Sequence, residues 1–545
     1  MAKVSTRFSG QSEFSQRSSV APKRQSAHAL AEGIEARISV TPLAEAEDKA
    51  DKDDAKLLLA QLLAEATGTF FLVFTVGVAV TSGTQLAAVA IGLTLGIQIY
   101  TFGSVSGGLF NPAVTFAVCL SGRGKISPKK ATLYVCMQFV GGIIAGLAAA
   151  GATGKSFYFH WEKSSAGSME SSLLLEVLFT AALCNAVLAT GTSSECPNQY
   201  FGFAIGCSVL ASALACGNFD QGSFNPAVTF GINLAHVMLD SEGGSSPSAG
   251  AWALFLLAPL LGGVLAASIF RCTRSREYEN RGEEGPQIIL LREKLFAEVT
   301  GTFYLVLTVG TVVPGGSSLA PVAIGLMLGV QIYTFGGVSG GLFNPAVVLA
   351  VVLSGREKLP LRPALWYATA EILSAAAAGF MAFGITNDTF FFDYTLTPAG
   401  GSGSSFALET LFTAALCGAV LATGTSLDAP NHYFGFAIGG MVLAAVATCG
   451  AFDQGSFNPA VTWGINLANV VNADAFGEPS GGAWCVFIFA PCLGGMLAAG
   501  IFRGVRIVEY RQRPYVSEVK DRMEHHQRLS EAKDKTESGG PTDKE

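Results

Sequence analysis

The sequence predicts an all-α membrane protein made of two tandem copies of one domain. Each copy is expected to have six transmembrane helices and two half-helices, arranged as an inverted repeat. Half of the 545 residues are hydrophobic and only 14% are charged, whereas in soluble domains about a quarter of all residues are charged. The motif Phe-Asn-Pro-Ala-Val also occurs four times, ending at Val114, Val228, Val347 and Val461. Each occurrence lies within apolar sequence.

The tandem copies keep one register. Glu65 in "AEATGTF" recurs as Glu298 in "AEVTGTF", and Asn111 recurs as Asn344, both 233 residues later. The second motif of each copy follows the same offset. A constant offset over several landmarks indicates a duplicated domain without net insertion between them.

The two copies set the predicted domain boundaries. The matching segments place the domains at 56–270 and 291–503, with a cytoplasmic linker at 271–290. The outer segments, 1–55 and 504–545, are rich in polar and charged residues, and we expect both to be disordered tails. Since 1–55 has no apolar core, it does not have the pattern of a cleaved signal peptide.

Six apolar segments of the first copy are candidates to cross a hydrocarbon core of ~30 Å, which needs roughly 20 residues. They lie near 57–80, 85–104, 131–151, 171–193, 199–217 and 249–270. Two further pieces, about 112–120 and 226–236, are too short to cross. Three spans and one short piece therefore occur twice, and the odd number of spans inverts the second set. Inverted repeats with broken helices are typical of transport proteins.

Basic residues predict the orientation. Arg123, Lys125, Lys129 and Lys130 follow the first short piece, and the linker between the copies is also rich in arginine. These segments fall on one side of the membrane together with both termini, while the opposite loops are nearly free of positive charge. The positive-inside rule therefore predicts cytoplasmic termini.

Each short piece begins with Asn followed by Pro. Asn is a preferred helix N-cap, and Pro is favoured at the first helical position. Backbone that is not helical survives at membrane depth only where it lines a wet cavity. We therefore expect the two half-helices of each domain to meet head to head beside a pore, where their positive ends oppose cations. The motif residues are Asn111, Pro112, Ala113, Asn225, Pro226, Ala227, Asn344, Pro345, Ala346, Asn458, Pro459 and Ala460.

With its paired Asn-Pro-Ala motifs, "SVSGGLFNPAVT", "FDQGSFNPAVTFG" and "AEATGTFFLVF", the chain resembles a tandem aquaporin of the major intrinsic protein family. The resemblance covers about 57–270 and 290–503. It implies a passive channel for water and small neutral solutes, with one pore per domain and without a cofactor, that excludes ions and protons. It also implies that four glutamates brace the half-helix loops by accepting backbone N–H groups; proton coupling is the alternative for such intramembrane carboxylates. These glutamates are Glu65, Glu176, Glu298 and Glu409.

The resemblance places a second, narrow ring of four residues toward the outer mouth of each pore. The rings consist of Ile91, Ala213, Gly222 and Val228 in the first domain, and of Ile324, Val446, Gly455 and Val461 in the second. Most family members have Arg where Val228 and Val461 stand, and some tonoplast intrinsic proteins of plants have Val there, as this chain does. Such an aliphatic ring is wider and less polar, which predicts passage of glycerol, urea, ammonia or hydrogen peroxide besides water. Because Val446 is bulkier than Ala213, the second pore is expected to be slightly tighter.

Aquaporins are typically tetramers with one pore per subunit, so the resemblance implies a homodimer of this chain with four pores, in the plasma or the vacuolar membrane. A coupled secondary transporter and a non-conducting membrane scaffold are the alternatives. The sequence has no constellation of nucleophile, base and orienting group, and its six histidines and eleven cysteines form no metal-binding pattern. We therefore expect neither an enzyme, nor a metal site, nor a nucleic-acid partner. Cys216 and Cys449, near the second motif of each copy, are either mercurial-sensitive thiols of the pore or inert buried ones.

Overall fold

The computed structural model describes residues 43–161, 167–194, 198–239, 245–279, 289–396, 401–427, 429, 431–472 and 477–511. Most of both predicted tails and part of the linker, 280–288, lie outside the described residues. The described residues from Leu59 onward form one compact unit, which contains both copies of the repeat. Within the described residues, every regular element is a helix.

The described part of the first domain contains eight α-helices. They are α1 (Leu43–Ser82), α2 (Ala87–Ser106), α3 (Pro112–Leu120), α4 (Pro128–Thr153), α5 (Met169–Ala186), α6 (Phe201–Cys216), α7 (Pro226–Leu239) and α8 (Ala249–Thr273). A π-helical turn, Val187–Gly191, continues α5. Because α1 begins at Leu43, residues 43–55 are helical, whereas the sequence analysis assigned them to the disordered tail.

The second domain repeats this order. Its helices are α9 (Leu291–Val312), α10 (Ala320–Ser339), α11 (Pro345–Leu353), α12 (Leu361–Thr386), α13 (Ser402–Ala419), α14 (Phe434–Cys449), α15 (Pro459–Val471) and α16 (Gly481–Val505). The same π-helical turn follows α13 at Val420–Gly424. A last short helix, α17, spans Val508–Arg511.

Ten of the described helices are long and apolar enough to cross a membrane. The sequence analysis predicted twelve crossings; the two helices that make the difference, α6 and α14, have 16 residues each and are strongly apolar. The predicted half-helices are α3, α7, α11 and α15, and each begins at the proline of its motif.

Glycines allow helices of each domain to approach closely. A Cβ atom on Gly92 of α2 would lie 2.6 Å from the carbonyl oxygen of Gly206 on α6, and one on Gly142 of α4 would lie 2.6 Å from that of Ala227 on α7. A side chain larger than hydrogen would therefore separate these pairs. Small residues at helix crossings are the usual means of close packing in membranes.

The two domains pack side by side through different faces. Helix α10 of the second domain contacts α5 and α6 of the first, and α9 contacts α6 and α8; the rings of Tyr200 and Tyr333 stack with centroids 4.3 Å apart. Tyr333 is 3% exposed, whereas its counterpart on α2, Tyr100, is 47% exposed. The chain therefore buries this face in one copy and leaves the equivalent face of the other copy uncovered.

Candidate functional site

Each half-helix starts with its motif asparagine as the N-cap, as the Asn-Pro pair predicts. The Oδ1 atom of Asn111 accepts a hydrogen bond from the backbone N–H of Ala113 at 2.8 Å, and its backbone is extended with φ of −153°. The other three motifs make the same contact at Asn225, Asn344 and Asn458. The Oδ1 atom of each asparagine thus accepts a hydrogen bond within its own half-helix, and the amide nitrogen can contact other groups.

The amide groups join the two half-helices of a domain across the tips. The Nδ2 atom of Asn111 donates to the carbonyl oxygen of Phe224 at 2.9 Å, and Nδ2 of Asn225 donates to that of Phe110 at 3.0 Å. The second domain has the same reciprocal pair. The two helix N-termini of each domain therefore meet head to head. A primary amide has two N–H donors, so each asparagine retains a second one.

The phenylalanine before each asparagine has an unusual backbone. Phe110, Phe224, Phe343 and Phe457 have φ between 48° and 54°, in the left-handed region that bulky residues rarely adopt. This conformation turns each phenylalanine carbonyl toward the asparagine of the opposite half-helix. Such outliers persist where the surrounding structure holds them, and here glutamates provide the contact.

A buried carboxylate binds the loop before each half-helix. Glu65 accepts hydrogen bonds from the backbone N–H groups of Leu109 and Phe110 at 3.0 and 2.8 Å. Glu176 accepts those of Ser223 and Phe224 at 2.6 and 2.8 Å. In the second domain Glu298 and Glu409 make the corresponding pairs of contacts. All four carboxylates are buried, and their bracing role stays a prediction.

The four predicted ring residues of the first domain lie together in one cavity. This cavity has a volume of about 520 Å³, and its lining includes Asn111 and Asn225. The ring residues among its lining are Ile91, Ala213, Gly222 and Val228. The wall is otherwise mainly aliphatic, from α1, α2, α5 and α6. Its outer end also includes residues 316–319 of the second domain, and Asn218 donates a hydrogen bond to the carbonyl oxygen of Gly315 beside it.

The second domain contains the equivalent cavity, with a volume of about 210 Å³. Asn344 and Asn458 line it, and its ring residues are Ile324, Val446, Gly455 and Val461. The larger first cavity includes the space under residues 316–319, so the difference in volume does not measure the rings alone. All eight ring residues predicted from the sequence therefore lie in the two cavities, and their part in selectivity stays a prediction.

The mouths on the ring side of the two pores differ at a polar position, which is His160 in the first domain and Asp393 in the second. Gln221 accepts the backbone N–H of His160, and its counterpart Gln454 accepts that of Asp393. Burial disfavours the charged form of Asp393, but the hydrogen bonds it accepts from Thr395 and Ser480 outweigh this effect and hold its pKa below the usual range. A loop carboxylate therefore stands in the second domain where the first has an imidazole.

Arginine clamps the end of the first half-helix at the opposite mouth. Arg123 pairs with Glu277 at 3.3 Å and donates to the carbonyl oxygen of Thr192 at 3.0 Å; Arg356 and Glu509 repeat the pair. Burial lowers the pKa of the Arg123 guanidinium, and Glu277 opposes this shift. Burial also disfavours ionised Glu277, but hydrogen bonds from Ser194 and the charge of Arg123 outweigh it and hold its pKa below the usual range.

Sequence reasoning missed several of these contacts. Arg123 was interpreted only as a topology signal, although the recurrence of "SGR" in both copies is a signal of a specific contact. The crossed amide bonds join residues more than 100 positions apart and left no local pattern. No group of three or more potential metal ligands occurs in the described part of the chain. Cys216 and Cys449 are fully buried, which favours the inert alternative for these thiols.

Paired half-helices that meet inside a bundle of apolar helices define a multi-pass membrane channel. The chain belongs to the major intrinsic protein family, whose model matches residues 53–270 and 287–502. Two consecutive matches show that the sequence contains two tandem family domains of the aquaporin fold. Members of this family are channels rather than enzymes, and the chain is accordingly a channel for water and small solutes.

Over about the length of one domain, the chain is similar to plant and bacterial proteins. "Aquaporin NIP1-2" of Arabidopsis thaliana is 30% identical over 40% of this chain and 74% of its own length. "Nodulin-26" of Glycine max is 28% identical over 40% and 78% of the two chains. "Glycerol uptake facilitator protein-like 6" of Lactiplantibacillus plantarum is 31% identical over 40% and 100%. These relatives are of the NIP and glycerol-facilitator kinds and do not point specifically to tonoplast intrinsic proteins.

One solved structure is similar over a single domain. The aquaglyceroporin from Plasmodium falciparum matches with a TM-score of 0.34 and 20% identity, over 39% of this chain and 95% of that one.

Proposed function

We propose that each domain contains one passive pore that conducts water and small neutral solutes and excludes ions and protons. The observation that supports this most directly is the reciprocal pair of amide bonds at the meeting point of the half-helices. It leaves one N–H of each asparagine for a passing oxygen atom. The two helix N-termini add positive potential at the same place, which opposes cations but not neutral molecules.

The aliphatic rings support solutes larger than water. Val228 and Val461 stand where most aquaporins have Arg, so each ring lacks a cation and its hydrogen-bond donors. We infer that glycerol, urea, ammonia or hydrogen peroxide pass together with water, as the resemblance of this ring to some tonoplast intrinsic proteins implies. The glycerol uptake facilitator among the relatives agrees with a solute pore.

Arginine at the two valine positions tests the solute range. In proteoliposomes, the V228R/V461R double variant is expected to retain water flux and to lose most glycerol and urea flux. The guanidinium narrows the ring, so that molecules larger than water no longer pass. The V228L/V461L variant is the matched control, since it adds bulk without charge. Glycerol and urea flux equal to that of the unmodified protein in the arginine variant would contradict the proposal.

Ion exclusion needs a separate measurement. Vesicles containing the protein are expected to keep an imposed pH gradient as long as empty vesicles do, with and without a potassium ionophore that clamps the voltage. Rapid decay of the gradient, in vesicles that also conduct water, would refute exclusion by the half-helix tips.

We infer that two chains associate into a four-pore assembly. The face of α9 and α10 is buried against the first domain, whereas the same face of α1 and α2 is exposed: Val330 is 1% exposed and its counterpart Ile97 is 59% exposed. Phe436 on α14 is also 57% exposed. A second copy could cover both faces with the contacts that already join the two domains. A light-scattering mass of one or of four chains would contradict this.

The location is also a proposal. We place both termini in the cytoplasm, because the basic segments around Arg123, Arg276 and Arg356 share one side of the predicted topology, in either the plasma or the vacuolar membrane. Protease digestion of terminal tags tests the orientation in sealed vesicles whose cytoplasmic face points outward. Both tags are expected to be digested, and tags that stay protected would contradict this orientation.

A further inference from the structure

The two domains differ at one buried position beside the loop of the first half-helix. In the first domain Gln138 of α4 donates from Nε2 to Glu65 at 2.8 Å and to the hydroxyl of Thr115 at 2.9 Å. All three side chains have no exposed surface. An amide donor therefore completes the hydrogen bonding of the carboxylate that binds Leu109 and Phe110.

In the second domain a carboxyl group replaces this amide. The counterpart of Gln138 is Glu371, and the counterpart of Thr115 is Val348. Glu371 has no exposed surface, and within the described residues neither of its carboxyl oxygens has a hydrogen-bond partner of ordinary geometry. Glu371 stands on α12 where Gln138 stands on α4, and Gln138 contacts Glu65, the counterpart of Glu298. Since Glu298 and Glu371 are both fully buried, this equivalence places the two carboxyl groups beside each other, and the charge of Glu298 acts on Glu371.

In the part of the chain that the structure describes, no helix packed against α12 contributes a cation that neutralises this pair at its buried level. Helix α12 packs against α9, α11, α15 and α5, and α11 and α15 contain no charged residue. The charge that acts on Glu371 is that of Glu298. Tyr367, one turn earlier on α12, donates its hydroxyl to the carbonyl oxygen of Ser339. The remaining charged residues of the packed helices are Arg292, Glu293 and Lys294 in the first turn of α9, Glu170 and Glu176 on α5, and Arg362 at the start of α12.

Two buried carboxylates in contact cannot both be ionised without a large repulsion, and such pairs hold one proton between them. A protonated carboxyl has an O–H donor, so Glu371 can then donate to Glu298 as Gln138 donates to Glu65. We propose that Glu298 and Glu371 form a proton-binding site that is specific to the second domain, and that loss of this proton at alkaline pH disables the second pore. The part that concerns flux rests on the proposed function; the proton site itself does not.

The sign of the effect follows from the geometry. With one proton bound, the pair carries a single negative charge, and Glu298 accepts the N–H groups of Leu342 and Phe343 at 3.1 and 2.8 Å. After release, two negative charges repel each other against the loop that carries Asn344. The second pore is therefore intact at neutral pH and fails as pH rises, while the first pore, with Gln138, keeps its flux.

Infrared spectroscopy tests the proton directly. The full-length protein at neutral pH is expected to show the carbonyl stretch of a protonated carboxyl group that is lost in E371Q, because the amide takes over the donor role without a proton. The reciprocal variant Q138E is the matched control in the first domain and is expected to gain such a band. An unchanged carboxyl band in E371Q would overturn the proton site, whether or not either pore conducts.

Flux through each pore separately tests the consequence. The A213W variant obstructs the first ring and V446W the second, which leaves one pore to be measured in each. We expect water flux of the A213W protein to be lost as pH rises, that of V446W to stay constant, and E371Q to abolish the loss in A213W. Equal pH profiles of the two pores, or a loss that persists in A213W/E371Q, would overturn the pH-dependent part. If the A213W protein conducts at no pH, the proposed function of the second domain fails, and the infrared result still decides the proton site.

Discussion

Gly68 is a position where one methyl group is expected to disable the first pore. Gly68 lies on α1 against the ring of Phe110, and a Cβ atom there would be 2.6 Å from Cδ1 of that ring and closer still to Cε1 and Cζ. Ordinary contacts begin at 3.4 Å. The ring has no exposed surface, so the G68A variant must displace Phe110 or separate α1 from the loop.

The expected cost follows from two opposing effects. Overpacking a buried site costs about 1–3 kcal/mol, and the severity of this clash places G68A at the upper end. The helix propensity gained on replacing Gly by Ala returns about 1 kcal/mol. We expect a net destabilisation of about 2 kcal/mol. Because the carbonyl of Phe110 accepts the amide of Asn225, moving the ring also disturbs the meeting point of the half-helices.

The assay consists of thermal unfolding in detergent and of water flux in the V446W protein. Because V446W obstructs the second ring, this flux is that of the first pore. G68A is expected to lower Tm and to remove most of this flux. The control is G151A, near the end of α4, where an added Cβ meets no atom within 4 Å, so it should leave the flux unchanged and should not lower Tm, because only the gain in helix propensity remains. A G68A protein with normal Tm and normal flux would refute the reasoning about the Phe110 contact.

Two further predictions concern contacts outside the pores. The E277Q variant leaves the Arg123 guanidinium unpaired, with side chains that are 2% and 4% exposed in the intact pair, and is expected to cost about 3 kcal/mol in thermal unfolding. Because the pKa of folded Glu277 lies below its usual range, its contribution to the free energy of unfolding is present at neutral pH and is lost as pH falls through the folded pKa. If Tm of the E277Q variant falls with acid as steeply as that of the unmodified protein, this reasoning is contradicted. Y200A removes the stack with Tyr333 and is expected to lower Tm, whereas Y433A, at the exposed counterpart, should instead shift dimer toward monomer by light scattering. An unchanged mass distribution in Y433A would count against the proposed dimer face.

The fold was predictable to the extent that its signals are local. An Asn cap followed by Pro starts each half-helix through contacts within three residues, and Asn111 and its three counterparts do this in the structure. The duplication was readable from a constant offset. Helix length was less predictable: α6 ends at Cys216 after 16 residues, and α1 extends back to Leu43 through a charged segment that composition assigned to a tail.

The site was predictable by position but not by contact. The ring residues could be located by counting from the asparagines, and each cavity contains the four that were predicted for its own domain. The crossed amide bonds could not, because they depend on how two distant loops approach one another. Glu371 shows the limit most clearly: its identity is plain in the sequence, but only burial against Glu298 gives it chemical meaning.

The position of both domains on one chain fixes a stoichiometry. Separate single-domain subunits could mix in any ratio, whereas this chain delivers one pore of each kind with every copy synthesised. A membrane containing it therefore always holds equal numbers of a pore with an amide beside its brace and a pore with an acid there. Under the proposed pH dependence, the second pore of every chain would close at alkaline pH while the first supplies a constant baseline.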